Sequence, residues 1–359
     1  MIKGNKGEWS EFYVFVKLLD ERKLFAADEN LEINKDVYYP VLGIFREESG
    51  IGKRVYDIES SPGLVKISDS DGLELAIVDS ANLKKKVNEI FDEISSIKTK
   101  KRVFSLESAA AAMKTFHCES IKTISSKKAD ILLKIKDGER TVPKVGYSIK
   151  SMIGSAATLL NSSGATNFIY EIEGLEDKFV EDVNDCSVFK EKIEIIKKNG
   201  GKMKFKKVSS EIFTENLQLS DNTFPMILAE LLLNYFEGKG NKFEKLLENI
   251  DQENIIPGFN VTMTNHRHKI KNFLVNVALG MVPNTRWDAY MKADGGYIIV
   301  KRNGDVCCYQ TYDRDKFQDY LYKNTKFDMP DPNRHSWGKI YNEGGRKYFN
   351  LNLQIRFTK

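Results

Sequence analysis

Hydrophobic residues recur with helical spacing near the start of the chain. Between Gly7 and Leu19, large apolar residues stand at positions 9, 12, 13, 16 and 19, which predicts an amphipathic helix. Glu8 and Glu11 are three residues apart and therefore share one face of this helix. Similar patterns predict helices at 83–97, 106–116, 188–198 and 224–236, and strands at 37–45, 73–78, 166–172, 296–302, 306–312 and 351–357.

The clearest β pattern is a pair of apolar runs around an Asp-Gly turn. Residues 129–136 (ADILLKIK) predict a strand that opens on Asp130, and residues 145–151 (VGYSIKS) predict its partner. Asp-Gly between two such runs is a strong hairpin signal. The second strand ends in Lys150, two residues after Ser148. This layout resembles the core of metal-dependent nucleases of the PD-(D/E)xK type, in which an acid at a strand start meets an acid-x-Lys on the next strand.

Length and composition exclude several protein classes. A chain of 359 residues has room for one large domain or two smaller ones. No apolar run approaches the ~20 residues that span a bilayer, and the N-terminus lacks the layout of a signal peptide. The four cysteines fit neither a disulfide framework nor a zinc-binding spacing, which favours a reducing, cytoplasmic location.

Charge is unevenly distributed along the chain. Residues 259–359 contain 17 Lys and Arg against 9 Asp and Glu, a net charge of +8, whereas the rest of the chain has a net charge of −4. A basic segment beside a slightly acidic body is typical of a protein that binds a polyanion. We therefore predict a core with insertions at 1–258 and a basic DNA-recognition region at 259–359, with the boundary near Pro257-Gly258. The Lys and Arg cluster at 98–102 is predicted to be a surface loop.

The predicted hairpin carries the candidate chemistry. Hydrolysis of a phosphodiester requires a cation that neutralises the scissile phosphate and activates a water. Magnesium prefers one or two carboxylates together with waters and phosphate oxygens. Asp130 is the predicted carboxylate ligand, and the backbone carbonyl of Ile149 is a second candidate ligand. Lys150 is placed to position or deprotonate the water and to stabilise developing charge.

Ser148 occupies the position where this motif normally has a second acid. A hydroxyl is a weak, neutral ligand, so a further acid is expected from elsewhere in the fold. Glu11 is the first candidate, from a helix that can pack beside the hairpin, and Glu8 is the second. Asp137 lies in the turn, at the far end from Lys150. Glu171 is a further alternative if the strand at 166–172 runs beside the second strand.

Arginine side chains after residue 259 are candidate DNA contacts, because Arg forms bidentate hydrogen bonds with guanine and pairs with phosphate. Seven arginines lie there among Asn, His and aromatic residues. Two or three of them are expected to read bases. The candidates are Arg267, Arg286, Arg302, Arg334 and Arg346; Arg314 and Arg356 are the other two.

Five segments resemble HpaII-type restriction endonucleases, and they extend from one end of the chain to the other. They are residues 4–11 (GNKGEWSE), 25–30 (FAADEN), 146–151 (GYSIKS), 163–170 (SGATNFIY) and 351–357 (LNLQIRF). Several are long and compositionally unusual, so the resemblance is specific and covers a whole protein.

The resemblance implies a type II restriction enzyme that recognises CCGG in duplex DNA and cuts after the first C, leaving two-base 5′ overhangs. It implies magnesium as cofactor and a cognate methyltransferase that protects host DNA. It gives Asp130 and Lys150 the acid and lysine roles, and the family pattern shares Ser148 at the second-acid position. Glu11 as the compensating acid is our inference from the residues.

We therefore expect an α/β protein with a central mixed sheet flanked by helices, a PD-(D/E)xK-like core with insertions. Its expected partner is double-stranded DNA. A homodimer would provide two active sites for the two strands of a palindrome, whereas a monomer would act twice. The alternatives are a nuclease of the same core with another target and a sequence-specific DNA-binding protein without catalysis.

Overall fold

The computed structural model describes residues 2–97, 103–123, 129–154, 156–253 and 263–358. The predicted basic loop at 98–102 lies outside these residues, and so does the predicted boundary at 257–258. The division into 1–258 and 259–359 therefore stays a prediction.

Groups of consecutive helices and groups of consecutive strands follow one another along the described chain. The helices are α1 (Lys6–Glu21), α2 (Leu83–Ser96), α3 (Glu107–Thr115), α4 (Val180–Asp185), α5 (Phe189–Lys198), α6 (Glu211–Ser220), α7 (Phe224–Phe236), α8 (Phe243–Glu253), α9 (Met263–Leu279) and α10 (Arg314–Asn324). The strands are β1 (Lys23–Ala27), β2 (Ile33–Glu48), β3 (Gly52–Asp57), β4 (Leu64–Asp69), β5 (Glu74–Asp79), β6 (Ile131–Asp137), β7 (Arg140–Ser151), β8 (Thr158–Leu160), β9 (Asn167–Glu173), β10 (Lys202–Val208), β11 (Gly296–Val300), β12 (Val306–Gln310), β13 (Thr325–Phe327), β14 (Ile340–Glu343), β15 (Arg346–Asn352) and β16 (Ile355–Phe357).

The expectation of a mixed α/β protein is confirmed, and most predicted elements are present. The helices predicted from apolar spacing correspond to α1, α2, α3, α5 and α7. The single strand predicted at 351–357 is wrong, because β15 ends at Asn352 and β16 starts at Ile355. No helix in the described part of the chain is both long and apolar enough to span a membrane.

The described chain forms two compact units. The first contains Met1–Ala157 and Met291–Tyr320, and the second contains Thr158–Tyr290 and Leu321–Thr358. The first unit holds a nine-stranded sheet in the order β1-β12-β11-β7-β6-β2-β3-β4-β5. This sheet is mixed, because β1 runs parallel to β12 and β7 parallel to β11, while the other neighbours are antiparallel.

The predicted hairpin is formed by β6 and β7. Asp137 pairs with Arg140 across the turn, and Gly138 has a positive φ of 58°, a conformation that glycine adopts without a steric penalty. At the opposite end of the hairpin, Ile131 pairs with Tyr147. The start of β6 and the last residues of β7 therefore lie at the same end of the sheet.

Helix α1 is one of the most deeply buried elements of the first unit. Trp9, Phe12, Val14 and Val16 are completely buried, in one apolar core with Tyr147 of β7. The helix begins with a capping box: the Asn5 side chain accepts from the Glu8 amide, and the Glu8 carboxylate accepts from the Asn5 amide. These two bonds fix where the helix starts.

The second unit contains two smaller sheets, in the orders β10-β9-β15-β14 and β13-β16-β8, together with helices α4 to α9. A strand does exist near 166–172, but its predicted place beside the second hairpin strand is wrong. It is β9, which pairs with β10 and β15, whereas the second neighbour of β7 is β11. Alternating apolar residues predicted the strand but carried no information about its partner.

Candidate functional site

Asp130 immediately precedes β6 and is fixed against β7 by three hydrogen bonds. Its amide donates to the carbonyl of Tyr147 (2.8 Å), and its Oδ2 accepts from the amide of Ile149 (2.6 Å) and from Oγ of Ser148 (3.1 Å). Both backbone and carboxylate are thus held in one place. The hairpin places Asp130 at the end of the sheet that the sequence predicted for this residue.

Ser148 is buried, with 3% of its surface exposed, and its hydroxyl donates to Asp130. It therefore orients the first acid and adds no charge of its own. Lys150 follows two residues later on the same strand, so that the two side chains share one face of the sheet.

Glu11 projects from α1 close enough to Asp130 and Lys150 for their charges to affect it. The pKa of Glu11 is raised to about 8, mainly by burial and then by the negative charge of Asp130, while Lys150 lowers it. The structure therefore brings together three of the predicted residues, Glu11, Asp130 and Lys150. The positive charges of Lys150 and Arg46 lower the pKa of Glu11, but burial and the neighbouring carboxylates outweigh them.

Glu8, the second candidate acid, has other partners. One carboxylate oxygen accepts from the Asn5 amide in the capping box, and the other forms an ion pair of 2.9 Å with Lys122. These contacts give Glu8 a structural role at the start of α1. The contrast favours Glu11 over Glu8 as the acid available to a metal ion.

A cavity of about 330 Å³ lies between the start of α1 and Asp130. Its lining is almost entirely polar: Asn5, Gly7, Glu8, Glu11, Lys122, Thr123 and Asp130. Four of these residues were not predicted as site residues: Asn5 and Gly7 at the start of α1, and Lys122 and Thr123. The only signal in the sequence for Lys122 and Thr123 is their position shortly before the strand that opens on Asp130.

The backbone that presents Lys122 is anchored by a buried ion pair. Arg46 and Glu48 are 5% and 1% exposed and lie 3.0 Å apart. Glu48 accepts hydrogen bonds from the amides of Glu119 (2.7 Å) and Ser120 (2.8 Å), and Arg46 donates to the carbonyl of Ser120 (2.9 Å). The Arg46 guanidinium also lies 4.9 Å from the ring centroid of Phe15 on α1. We refer to residues 119–123 as the anchored loop.

Strand geometry also orients the carbonyl of Ile149. In an antiparallel pair the amide and carbonyl of one residue point to the same side of the strand. Because the Ile149 amide donates to Asp130, its carbonyl is directed to the Asp130 side as well. A backbone oxygen therefore accompanies the carboxylates at this end of the sheet.

The donor set suits a hard divalent cation. Within the described residues there is no group of three or more His, Cys, Asp or Glu side chains that could enclose a metal ion. Two carboxylates plus a backbone carbonyl leave several coordination positions for water and phosphate, which is the pattern that magnesium prefers. The negative charge of Asp130 raises the pKa of Glu11, and a cation bound near both carboxylates would relieve this repulsion.

The remaining acids that the sequence suggested have other surroundings. Asp137 lies at the turn of the hairpin, the end away from Lys150, as predicted. Glu171 lies in β9 and pairs with Lys206 (3.4 Å) and Arg346 (3.3 Å). Because β9 does not neighbour β7, the reason for considering Glu171 no longer applies.

The five candidate DNA-contacting arginines occupy different settings. Arg286 and Arg346 are exposed and form ion pairs with Glu215 and Glu171. Arg267 on α9 is half-buried, and its positive charge lies close enough to Tyr322 to act on that hydroxyl. Arg302, in the turn between β11 and β12, and Arg334 are exposed. Arg302 belongs to the first unit and the other four to the second.

The chain matches a family of known proteins over almost its whole length. The family model described as HpaII restriction endonuclease matches residues 5–357. The chain is 38% identical over 358 residues to the type II restriction enzyme HpaII of Haemophilus parainfluenzae, a match that covers 99% of this chain and 98% of that protein. No solved structure matches the chain.

Proposed function

The chain belongs to the HpaII restriction endonuclease family, and from this premise we propose that it cuts duplex DNA at CCGG, after the first C, by magnesium-assisted hydrolysis. The family makes it a site-specific deoxyribonuclease that binds double-stranded DNA. Type II restriction enzymes generally use divalent metal ions. The near full-length match to a relative supports the same target.

One observation carries the assignment of the catalytic site. Asp130 is held by Ser148 and Ile149 at the start of β6, in the electrostatic range of Glu11 and Lys150. Such an acid–lysine pair on adjacent strands supports a PD-(D/E)xK core in which the second acid comes from a helix. Asp130, Glu11 and the Ile149 carbonyl would hold the metal ion.

A bound magnesium ion would neutralise charge on the scissile phosphate and lower the pKa of an attacking water. The chain's own groups do the rest. Ser148 keeps the Asp130 carboxylate oriented, and Lys150 hydrogen-bonds the attacking water and stabilises negative charge that develops on the phosphate. Glu11 supplies the carboxylate that Ser148 does not.

The proposal extends to partners. Arginines among Arg267, Arg286, Arg302, Arg334 and Arg346 contact the duplex, with Arg side chains reading the guanines of the site. A methyltransferase acting on the same sequence protects host DNA. A homodimer would place one active site at each strand of the palindrome.

Mapping of cleavage products tests the proposal. Purified protein is incubated with plasmid DNA in magnesium or in EDTA, and the fragment ends are sequenced. We expect discrete fragments that begin at CCGG sites, in magnesium only, and none from an Asp130→Ala variant. Cleavage at another sequence would overturn the specificity, and absence of cleavage with every divalent metal would overturn the enzymatic assignment.

A further inference from the structure

Lys122 is a cation at the candidate site, and the proposed hydrolysis gives it no role. It lines the cavity together with Glu11 and Asp130, and its side chain is 71% exposed. Its ammonium group forms an ion pair of 2.9 Å with Glu8 at the cavity rim. Lys122 is thus placed beside the catalytic groups and is also open to an incoming ligand.

The backbone below Lys122 is fixed although its side chain is exposed. The two amides at Glu119 and Ser120 are bound by Glu48, and the carbonyls at Ser120 and Ile121 by Arg46. Next in sequence, Oγ1 of Thr123 donates to the carbonyl of Asp130 (3.4 Å). The anchored loop therefore holds Lys122 in a constant position relative to Asp130.

The balance of charges identifies the chemistry that Lys122 would recognise. Three carboxylates, from Glu8, Glu11 and Asp130, line the cavity, and Lys122 is the cation among its lining residues. These carboxylates repel an anionic phosphate that enters the cavity, and a protein cation at the rim offsets part of that repulsion. Because water screens the exposed ammonium group of Lys122, its ion pair with the partly buried Glu8 is weak enough to exchange for another anion.

We propose that Lys122 is a further substrate-binding residue, which leaves Glu8 and contacts a backbone phosphate of the DNA next to the scissile bond. The proposal rests on the proposed nuclease function and adds to it a protein cation on the α1 side of the site. In the protein without DNA, the ion pair with Glu8 keeps the ammonium group of Lys122 at the rim of the cavity.

Replacement of Lys122 by Met tests the contact, because Met keeps an unbranched stem and removes the charge. The matched control is Lys85→Met: Lys85 is 79% exposed and forms an ion pair with Glu89 on α2. Dissociation constants for a CCGG duplex are measured in EDTA at several salt concentrations. We expect Lys122→Met to weaken binding about tenfold and to reduce the salt slope by about 0.9. Lys122→Arg should preserve both values, and Lys85→Met should change neither.

Glu8→Gln provides the opposite test. Gln still accepts the capping-box hydrogen bond, but it releases the ammonium group of Lys122. Binding is expected to be as tight as in the wild type or tighter, with cleavage retained. Loss of cleavage in Glu8→Gln would make Glu8 an essential acid and overturn the exchange.

The two proposals fail in different ways. If the wild-type protein cuts DNA and Lys122→Met matches Lys85→Met in affinity and salt slope, the role of Lys122 is wrong and the nuclease function stands. If the wild type cuts no DNA with any divalent metal, the proposed function is wrong. The binding comparison in EDTA, which needs no cleavage, then still decides whether Lys122 contacts DNA.

Discussion

Ser148 donates a hydrogen bond of 3.1 Å to Oδ2 of Asp130. The residue at the second-acid position of the motif thus serves the first acid and does not duplicate it. Because the Ile149 amide binds the same oxygen at 2.6 Å, the orientation of Asp130 has two independent supports. Replacement of Asp130 should accordingly reduce cleavage more than replacement of Ser148.

We expect Asp130→Ala and Lys150→Ala to reduce cleavage by at least about 10⁴-fold, while Ser148→Ala reduces it only about tenfold. Asp130 is a metal ligand and Lys150 contacts the water in our proposal, whereas Ser148 is one of two groups that orient Asp130. Single-turnover cleavage of a CCGG duplex measures all three.

Binding of the same duplex in EDTA is the control, since none of the three variants should lose more than a few-fold in affinity. Normal cleavage by Asp130→Ala or Lys150→Ala would exclude that residue from the catalytic site. A loss for Ser148→Ala as large as that for Asp130→Ala would instead make the hydroxyl a participant in the reaction.

The raised pKa of Glu11 predicts that the stability of the protein depends on pH, and it fixes the direction of that dependence. The pKa of Glu11 is raised from 4.5 to about 8 in the folded protein, mainly by burial and then by Asp130. Between these values the unfolded chain loses the proton and the folded protein retains it, so that stability falls as pH rises from about 4.5 to about 8. Below that window Glu11 is protonated in both states and imposes no penalty.

Glu11→Gln should therefore raise the melting temperature of the metal-free protein, with a larger gain at pH 8 than at pH 5, and should abolish cleavage. Magnesium should raise the melting temperature of the wild type at pH 8 and have much less effect on the variant. Glu89→Gln, at an exposed ion pair on α2, is the control and should alter neither property. A Glu11→Gln variant that cuts DNA normally, or melts below the wild type at pH 8, would contradict this role.

The sequence predicted the hairpin and the position of Asp130 beside the end of β7 because both depend on neighbours in the chain. Asp-Gly between two apolar runs sets the pairing of β6 with β7, and the pairing by itself brings Asp130 to Ser148. Helix α1 was predicted from its apolar spacing in the same way. Glu11 required the further assumption that α1 packs beside the hairpin, and the structure satisfies it.

Long-range pairings explain what the sequence could not predict. β11, which begins almost 150 residues after Tyr147, adds in parallel to β7, and β9, which is nearer in sequence, joins another sheet. The sequence pattern of a strand does not specify which strand it pairs with, so these two arrangements could not be told apart from the sequence. The contact of Lys122 with Glu8 likewise joins two segments more than 100 residues apart.

One missed feature did leave a signal in the sequence. Strand alternation places Arg46 and Glu48 on the same face of β2 as Ile44, which is completely buried. Two opposite charges on a core-facing row predict a buried ion pair. Such pairs are kept where they bind backbone groups, as this pair does at the anchored loop.

The Arg46–Glu48 pair supports two separable properties, stability and the position of the anchored loop. Glu48→Ala should cost about 3–5 kcal/mol in the free energy of unfolding, because it leaves the buried charge of Arg46 without its counter-ion. The double variant Arg46→Met/Glu48→Leu should recover most of that loss, since apolar residues of similar volume replace buried ion pairs well. Urea denaturation measures both values.

Cleavage should not recover with stability in the double variant. The backbone groups at Glu119 and Ser120 lose the side chains that hold them, so Lys122 is no longer fixed and KM should rise more than kcat falls. Steady-state kinetics on a CCGG duplex provide the measurement. A stable double variant with wild-type KM would show that the ion pair has no part in positioning the loop.

Salt dependence separates arginines that contact phosphate from arginines that read bases. Each phosphate contact contributes about −0.9 to the slope of log K against log salt. Replacement of a phosphate-contacting arginine by Gln should reduce the slope by about 1 and weaken binding equally for CCGG and unrelated duplexes. Replacement of a guanine reader should cost about 1–3 kcal/mol on CCGG only and relax specificity at one position.

The exposed Arg302 and Arg334 and the ion-paired Arg286 and Arg346 form a natural series for this measurement. An arginine whose replacement leaves both the salt slope and the specificity unchanged lies outside the interface. Lys85→Gln is the control and should change neither quantity. A slope near zero for the wild type would contradict duplex DNA as the partner, because no polyanion is bound without release of its counterions.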